Sequence, residues 1–408
     1  MKILFLSQLL PYPLDAGAKV RAYYTLRHLC REHSVLLLSF RRRSDTPRAI
    51  EHLRSFCADV ITVPMRRSKA LDAFHLVRSL ARNEPFLIVR DWRREMAEAV
   101  REAMASRGPF DVVHSDQLWM APFAQLARDA GGPRNAVRTV LDQHNAVFQI
   151  PQRMAQAEQS RVKRRLLLRE ARALARYEVR TCQRFDQVVF VSEEDRRALM
   201  LHGLEAGAPG RDTVIPISVD PRSTEPAEPG RRPFRITFMG GLHWPPNAAG
   251  VRWFETSVWP RIRGEAPEAV FTIVGNSTAA TNKAADGGTI QYLGYVDNPR
   301  PILDETAVFV VPLLAGGGMR VKILDAWARG LPVVSTTIGA EGICVLNGSN
   351  ILLADTATEF AEAVIRLVSN RSLAGGLGRQ GRRTVEEHYD WRMVYRAWDR
   401  VYQCAYSS

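Results

Sequence analysis

The chain alternates short apolar runs with longer stretches whose apolar positions recur every three or four residues. Lys2 to Ser7, Ser34 to Phe40, Val60 to Val63, Asp111 to His114, Thr139 to Asp142 and Gln187 to Ser192 are rich in Val, Leu, Ile and Phe. Runs of this length with little polar alternation predict strands buried on both faces. Helical patterns separate most of them. From Ala18 to about His33, for example, Val20, Tyr24, Leu26, Leu29 and Cys30 fall near one helix face. Strands alternating with helices call for a parallel, doubly wound sheet. After Asp212 to Ile217 the period stops, and Ser218 to Arg232 holds Pro221, Pro226, Pro229 and Gly230 among charges, which predicts a linker. Phe234 to Met239 then restarts the alternation, followed by Gly240, Gly241 and a helix from about Asn247 to Arg263. Ala269 to Gly275, Ile290 to Val296, Val308 to Leu313 and Leu331 to Thr337 continue it. From Thr356 to Ser408 the pattern is helical. The aromatics between Trp391 and Tyr402 fall at helical spacing and predict a docking face.

A chain of 408 residues is too long for one ordinary core, so two domains of about 200 residues are expected. No stretch reaches the roughly 18 apolar residues of a membrane span, and the opening run is too short for a signal peptide, which makes a cytoplasmic location the expectation. Cys30, Cys57, Cys182, Cys344 and Cys404 are scattered, so buried thiols are expected rather than a disulfide framework or zinc site. The net charge of +13 is uneven. Residues 1–220 hold 36 Lys and Arg against 25 Asp and Glu, a balance of +11, whereas residues 221–408 hold 20 against 18. Such an excess suits nucleic acid, anionic lipid or a phosphorylated acceptor, or is an arginine-rich solvated surface. Much of it lies in a long helix expected from Met154 to Phe185. Its arginines could lie on an anionic membrane or be solvated and partly paired with Glu158, Glu170 and Glu178.

Candidate chemistry centres on Gly316, Gly317, Gly318, Met319, Arg320, Val321, Lys322 and Asp325, between a strand pattern ending at Leu313 and one starting at Leu331. Strand, glycine loop, helix and strand follow in order. Glycines let backbone approach a ligand closely, and the start of a helix favours phosphate. Arg320 and Lys322 are placed in the first helical turn and add charge. Asp325, about one and a half turns in, can accept hydrogen bonds from hydroxyls. Anion plus hydroxyls points to a nucleotide sugar; the plainer alternative is a tight strand-to-helix connection.

The two β/α halves, the loop Pro11 to Gly17, Val189 to Glu193, Val214 to Asp220 and Lys322 to Val334 together resemble a retaining glycosyltransferase of family 4 with the GT-B fold. Within that family the chain is similar to bacterial members serving exopolysaccharide or glycolipid synthesis. The resemblance implies two Rossmann-like β/α/β domains facing across a cleft. They are an acceptor domain at 1–217, a linker at 218–232, a nucleotide-sugar domain at 233–390 and a C-terminal helix at 391–408 returning toward the first. It implies that Asp325 holds ribose hydroxyls, that Arg320 and Lys322 neutralise the diphosphate, and that Gly240, Gly241 and Gly316 to Gly318 with Met319 receive the donor. Tyr295 and Val296 match positions that meet the nucleobase, Gly17 matches a glycine that approaches the diphosphate, and His144 matches a histidine at the transferred sugar. His114 is left as structural.

Three departures accompany the resemblance. Gly317 stands where the family usually has a glutamate, and the basic residue usual soon after Gly240-Gly241 is absent or replaced, since Leu242, His243 and Trp244 follow. The usual Asn-Gly before Val219-Asp220 is Ile217-Ser218. The implied reaction is metal-independent and cofactor-free transfer to a hydroxyl acceptor, which could be lipid-linked at the inner face of an anionic membrane. Alternatives are a nucleotide-sugar epimerase on the same fold and a non-enzymatic binder of anionic surfaces or nucleic acid. The basic stretch lacks the interleaved aromatics that nucleic acid would call for.

Overall fold

The structure, a computed structural model, describes residues 1–132, 137–205, 211–227, 234–276 and 288–407. The backbone forms two compact units, Met1–Ser218 with Trp391–Ser408, and Val219–Asp390. Residues 228–232 of the expected linker lie outside the described residues, while Pro221–Ser223 form a short 3-10 turn of the second unit.

In the first unit seven parallel strands are β1 (Lys2–Ser7), β2 (Ser34–Arg41), β3 (Asp59–Pro64), β4 (Val112–Asp116), β5 (Arg138–Gln143), β6 (Gln187–Phe190) and β7 (Asp212–Val214). They lie in the order β3-β2-β1-β4-β5-β6-β7. The central strands are buried along nearly their whole length, as continuous Val, Leu and Phe runs require when helices cover both faces. In the second unit the six strands are β8 (Arg235–Met239), β9 (Val270–Val274), β10 (Ile290–Gly294), β11 (Val308–Val311), β12 (Val333–Ser335) and β13 (Leu352–Leu353). Their order is β10-β9-β8-β11-β12-β13, again parallel. The two-residue β13 is too short to leave a pattern in the sequence.

Each order reverses direction once, between β1 and β4 in the first sheet and between β8 and β11 in the second. At such a switch point the connections leave toward opposite sides and open a crevice outside the carboxyl ends of the strands. The register fixes what lines it: Ser7 pairs with Asp116, and Asp116 with Asp142.

The expected helix from Met154 to Phe185 is two helices, Gln149–Ala157 and Arg161–Arg184. Glu158 leaves the helical conformation, and Ser160 caps the second helix by accepting the Lys163 N–H. Of the expected pairings, Arg169 meets Glu170 at 3.3 Å, and the acidic residues have further roles. Glu178 is buried and Glu170 receives the Phe86 and Leu87 N–H groups. Cys57 and Cys182 are buried, but Cys344 is exposed and Cys30 partly so; the side chain of Cys404 lies outside the described residues. The C-terminal aromatics are core: Tyr395, Trp398 and Tyr402 are fully buried in the first unit.

In the second unit helix Arg371–His388 backs helix Val321–Ala328 through glycine. A Cβ at Gly378 would come 2.0 Å from the Gly330 carbonyl oxygen, and one at Gly381 would come 2.3 Å from the Trp327 ring, whereas Gly376 faces open space. Gly381→Ala should therefore destabilise by about 1–3 kcal/mol through overpacking. Gly376→Ala on the same helix should stabilise by up to about 1 kcal/mol. Urea denaturation of both variants checks the opposite signs; equal effects would show that the helix contact yields freely.

Candidate functional site

In the second unit β8 ends at Gly240 and Gly241, and β11 leads into the loop that holds Gly316 to Gly318. These neighbouring strand ends are joined by Lys322. Its Nζ donates to Asn247 Oδ1 at 3.1 Å and lies 4.3 Å from the centre of the Phe238 ring. Asn247 in turn donates to the Gly241 carbonyl at 2.9 Å. A Cβ at Gly240 would come 2.7 Å from the Lys322 ammonium, so only glycine leaves the amine its place. The basic group that seemed missing after Gly240-Gly241 is thus supplied from the other side of the switch point. Burial, with repulsion from Arg320, lowers Lys322 to about 7.

Arg320 is not in the first turn of the helix. Helix Val321–Ala328 starts one residue later, with Arg320 at its cap and its side chain folded back onto the loop. Its Nη1 donates to the carbonyl oxygens of Gly317 and Gly318, the latter at 2.6 Å. Gly316 makes room for this fold-back. It adopts φ 148°, and a Cβ there would lie 2.4 Å from Arg320 Nη2. Asp325 is partly buried and makes no hydrogen bond among the described residues; burial raises its carboxyl to about 6, with Arg329 opposing in part. Tyr295 and Val296 follow β10, two strands from β8 on the same carboxyl edge. Backbone links that edge: the Gly275 N–H donates to Gly294 O, and the Gly240 N–H to Val274 O, both at 2.8 Å.

In the first unit the switch point holds a buried charge cluster. Arg21, on helix Gly17–Leu29, donates from Nε and Nη2 to both Asp142 oxygens at 2.9 and 3.0 Å, and from Nη1 to Pro216 O at 3.0 Å. Its guanidinium also lies over the Tyr395 and Trp398 rings. His144 Nε2 stands 2.9 Å from Asp116 Oδ1 and 3.4 Å from Asp142 Oδ2, and Ser7 donates to Asp116 Oδ2 at 2.7 Å. Burial alone would lower the His144 pKa, but the two carboxylates overcome it and raise the imidazole to about 9. Burial would raise Asp142, yet Arg21 and His144 hold it well below the usual carboxylate range. His144 is therefore an imidazolium at neutral pH, and its buried Nδ1 has no hydrogen-bond partner among the described residues. Asp116, Asp142 and His144 offer ligand atoms within 4.8 Å of one another, a spacing a cation can use.

The loop after β5 is held rigidly. Glu178 accepts from Gln143 Nε2 and from the Val147 and Phe148 N–H groups at 2.6 to 2.9 Å, and Asp195 accepts the Ala146 N–H at 2.7 Å. His114 is elsewhere in function. It stacks on Phe5 at 4.2 Å and bonds Tyr402 Oη through Nδ1 at 2.8 Å, and burial lowers it to about 4. Gly17 is the first residue of its helix, in the connection that leaves β1. Sequence reasoning missed Arg21, Asp116, Asn247 and a role for Asp142. A charged residue amid Val20, Tyr24 and Leu26 was the one legible signal for Arg21.

The sequence matches the family model described as Glycosyltransferase Family 4 over residues 16–223 and that described as Glycosyl transferases group 1 over residues 233–370. An uncharacterized 44.6 kDa protein in the cps region of Klebsiella pneumoniae is 28% identical over 169 residues, 39% of this chain and 44% of that protein. The lipopolysaccharide core biosynthesis glycosyltransferase LpsE of Rhizobium meliloti is 33% identical over 100 residues, 24% and 29% of the two chains. The matches thus span less than half the length of these curated relatives. Among solved structures, HepE of Anabaena in complex with UDP-glucose superposes with TM-score 0.67 at 13% identity over 99% of both chains. Sucrose-phosphate synthase of Thermosynechococcus elongatus gives 0.68 at 15%, over 99% and 98%. At these identities the likeness shows the fold, GT-B.

The raised His144 pKa fixes a pH signature. A group whose folded pKa lies above its unfolded value adds stability below the unfolded value, near 6.5, and loses it as pH rises through the folded value near 9. The difference in unfolding free energy between the parent and His144→Gln should therefore be largest at pH 6 and shrink by pH 10. Urea melts of both proteins across that range check it; a constant difference would mean that folding does not shift the His144 pKa, and one that grows with pH that His144 is neutral when folded.

Proposed function

We propose, from the premise that the chain belongs to glycosyltransferase family 4, that it transfers a sugar from a nucleoside diphosphate donor to a hydroxyl acceptor with retention of configuration. The observation that carries this is the placement of Lys322, between the Gly240 turn and the glycine loop at the switch point of the second sheet. A partly buried ammonium with no carboxylate bonded to it among the described residues, at the start of a helix, suits a diphosphate. The loop Gly316 to Gly318 with Met319 receives that group, Gly240 and Gly241 border it, and Asp325, one turn beyond Lys322, takes the ribose hydroxyls. Tyr295 and Val296 meet the nucleobase, and Gly17 approaches the diphosphate, as the family resemblance implies.

In the reaction the bond from the anomeric carbon to the phosphate oxygen breaks, with the electron pair going to that oxygen. The acceptor oxygen bonds the same carbon on the same face, and its proton passes to the leaving phosphate. Lys322 and the helix start stabilise the growing negative charge, with the Arg320 guanidinium adding its field, which is a task met here without a metal or cofactor. His144, as an imidazolium, donates a hydrogen bond to the transferred sugar from Nδ1 rather than taking a proton. Support for a uridine donor comes from HepE, solved with UDP-glucose, and support for an acceptor in lipid-linked or capsular glycan assembly from the names of the two curated relatives. Such an acceptor places the protein at the cytoplasmic face of a membrane. No helix among the described residues is long and apolar enough to cross one.

Incubation with UDP-[14C]glucose and other labelled nucleotide sugars, in the presence of membrane lipid and with or without EDTA, tests the proposal. Acceptor-dependent product of retained anomeric configuration, undiminished by EDTA, is expected. Nucleotide release with no transfer would instead indicate epimerisation.

Two sets of variants divide the site. His144→Ala should lower turnover far more than it weakens nucleotide binding, and unchanged turnover would make His144 structural. Lys322→Ala should weaken nucleoside diphosphate binding by ten- to a hundredfold, the worth of a charge-assisted bond at about 1.5–3 kcal/mol, and leave the uncharged nucleoside nearly unaffected. Asp325→Asn should weaken both. Because free Lys322 titrates near 7, an anion that raises it takes up a proton on binding. Calorimetry at pH 8 in buffers of different ionisation enthalpy should show uptake by the parent and none by Lys322→Ala. If both variants bound every nucleotide like the parent, the donor assignment would fail.

A further inference from the structure

Helix Lys69–Arg82 of the first unit is packed inside out. Its inward residues are polar: Asp72 and His75 are half-buried and Ser79 is buried, at the spacing i, i+3, i+7 that marks one face. Its large apolar residues point to solvent. Leu71 is 48% exposed, Phe74 62%, Val77 66% and Leu80 45%, with Leu76 also exposed. Among the described residues, fifteen large apolar or aromatic side chains stand more than a third exposed, and five of them are on this one helix. A globular protein that left this face to water would lose the burial of its most apolar residues while covering three polar ones.

The inversion is held in place by specific bonds. Arg169, on helix Arg161–Arg184, donates from Nη1 to Ser79 Oγ at 2.9 Å and to Glu84 O at 3.1 Å, and from Nη2 to Ser79 O. Ser79 Oγ itself donates to Glu84 O at 2.7 Å. These contacts bring the start of helix Arg161–Arg184 beside the inverted helix, and it too exposes apolar residues, Val162 at 69% and Leu166 at 43%. Around both stand bases. Arg66, Lys69, Arg78 and Arg82 share their segment with one acid, Asp72, while Arg67 pairs with Asp91 at 2.9 Å; Arg161, Lys163, Arg164 and Arg165 are all exposed in the other.

We propose that this apolar, base-rimmed face docks on an anionic lipid bilayer, with Phe74 and Val77 entering the interface and the basic side chains meeting lipid phosphates. Apolar residues ringed by Lys and Arg are what such an interface selects, because long basic side chains reach the headgroups while the apolar ones lie below them. The charge also decides against the simplest rival: a second copy would set one strongly basic face against another. This deepens the reading of a lipid-linked acceptor and rests on it for its purpose, but it can be tested without any transfer.

Flotation of the full chain with vesicles of phosphatidylglycerol and phosphatidylcholine, and of phosphatidylcholine alone, is the experiment. The parent should bind the anionic vesicles at low salt and not the neutral ones. Phe74→Ser with Val77→Ser, both exposed and far from the folded core, should keep the parent's circular dichroism and thermal midpoint and lower vesicle partition on the order of tenfold or more. Arg164→Gln with Arg165→Gln should reduce binding in a salt-dependent way. No binding by the parent at low salt overturns the proposal. So does binding that survives the apolar pair and is lost only with the arginines, or a parent dimer in sedimentation that the apolar pair dissolves. Vesicle binding with no sugar transfer would sink the transferase reading alone, and transfer to a soluble acceptor with no vesicle binding would sink this one alone.

Discussion

A parallel sheet constrains where chemistry can stand. Every crossover returns over a face and both faces are covered, so groups that must meet a ligand stand at the strand ends; at a switch point the carboxyl ends lie free of crossing backbone. Both units obey this. In the first, the register of β1, β4 and β5 sets Ser7, Asp116 and Asp142 side by side, and His144 follows two residues on. In the second, the ends of β8 and β11 carry Gly240-Gly241 and the glycine loop, and Lys322 reaches between them. The sites are consequences of strand order as much as of the residues that occupy them.

The two switch points solve opposite electrostatic problems. The first is closed: Arg21 and His144 meet Asp116 and Asp142, each charge is desolvated, and each has its counter-charge within 3 Å. Removing one member of such a set costs more than the set contributes, because a buried charge is left uncompensated. The second is open. Lys322 has Arg320 as its charged neighbour and a neutral amide as its bond partner, so its ammonium is destabilised until an anion arrives. Asp325 is likewise a desolvated carboxyl whose hydrogen bonds are unmade among the described residues. One site is balanced in the chain itself, and the other is left unbalanced, which is what the proposed donor, an anion bearing hydroxyls, would redress.

Much of this was legible before any coordinates. Strand type and order of appearance follow from runs such as Leu4, Phe5 and Leu6 that no half-exposed strand would carry, and the glycine loop announces itself by composition. What could not be read were contacts between residues far apart in the chain. That Lys322 supplies the base missing after Gly241 requires β8 and β11 to be neighbours, which no local pattern states. The helix from Met154 looked continuous because no Gly or Pro interrupts Met154 to Phe185, and a single Ser cap outweighs it. Cys344 and the segment Lys69–Arg82 defeat pattern reasoning for another reason: periodicity finds an apolar face but does not say that it turns inward.

The substitution of Gly317 for the glutamate usual in the family changes what the loop can offer a ligand. With no side chain at that position, contact falls to the backbone. The carbonyl oxygens of Gly317 and Gly318 are already taken by Arg320. In a trans peptide the C=O and the following N–H point in opposite directions, so turning these two carbonyls to the guanidinium turns the N–H groups of Gly318 and Met319 away from it. The arginine therefore does more than carry charge: it fixes which way the peptide units after Gly317 and Gly318 are turned. Gly316, whose missing side chain admits the guanidinium, is the residue on which that orientation turns.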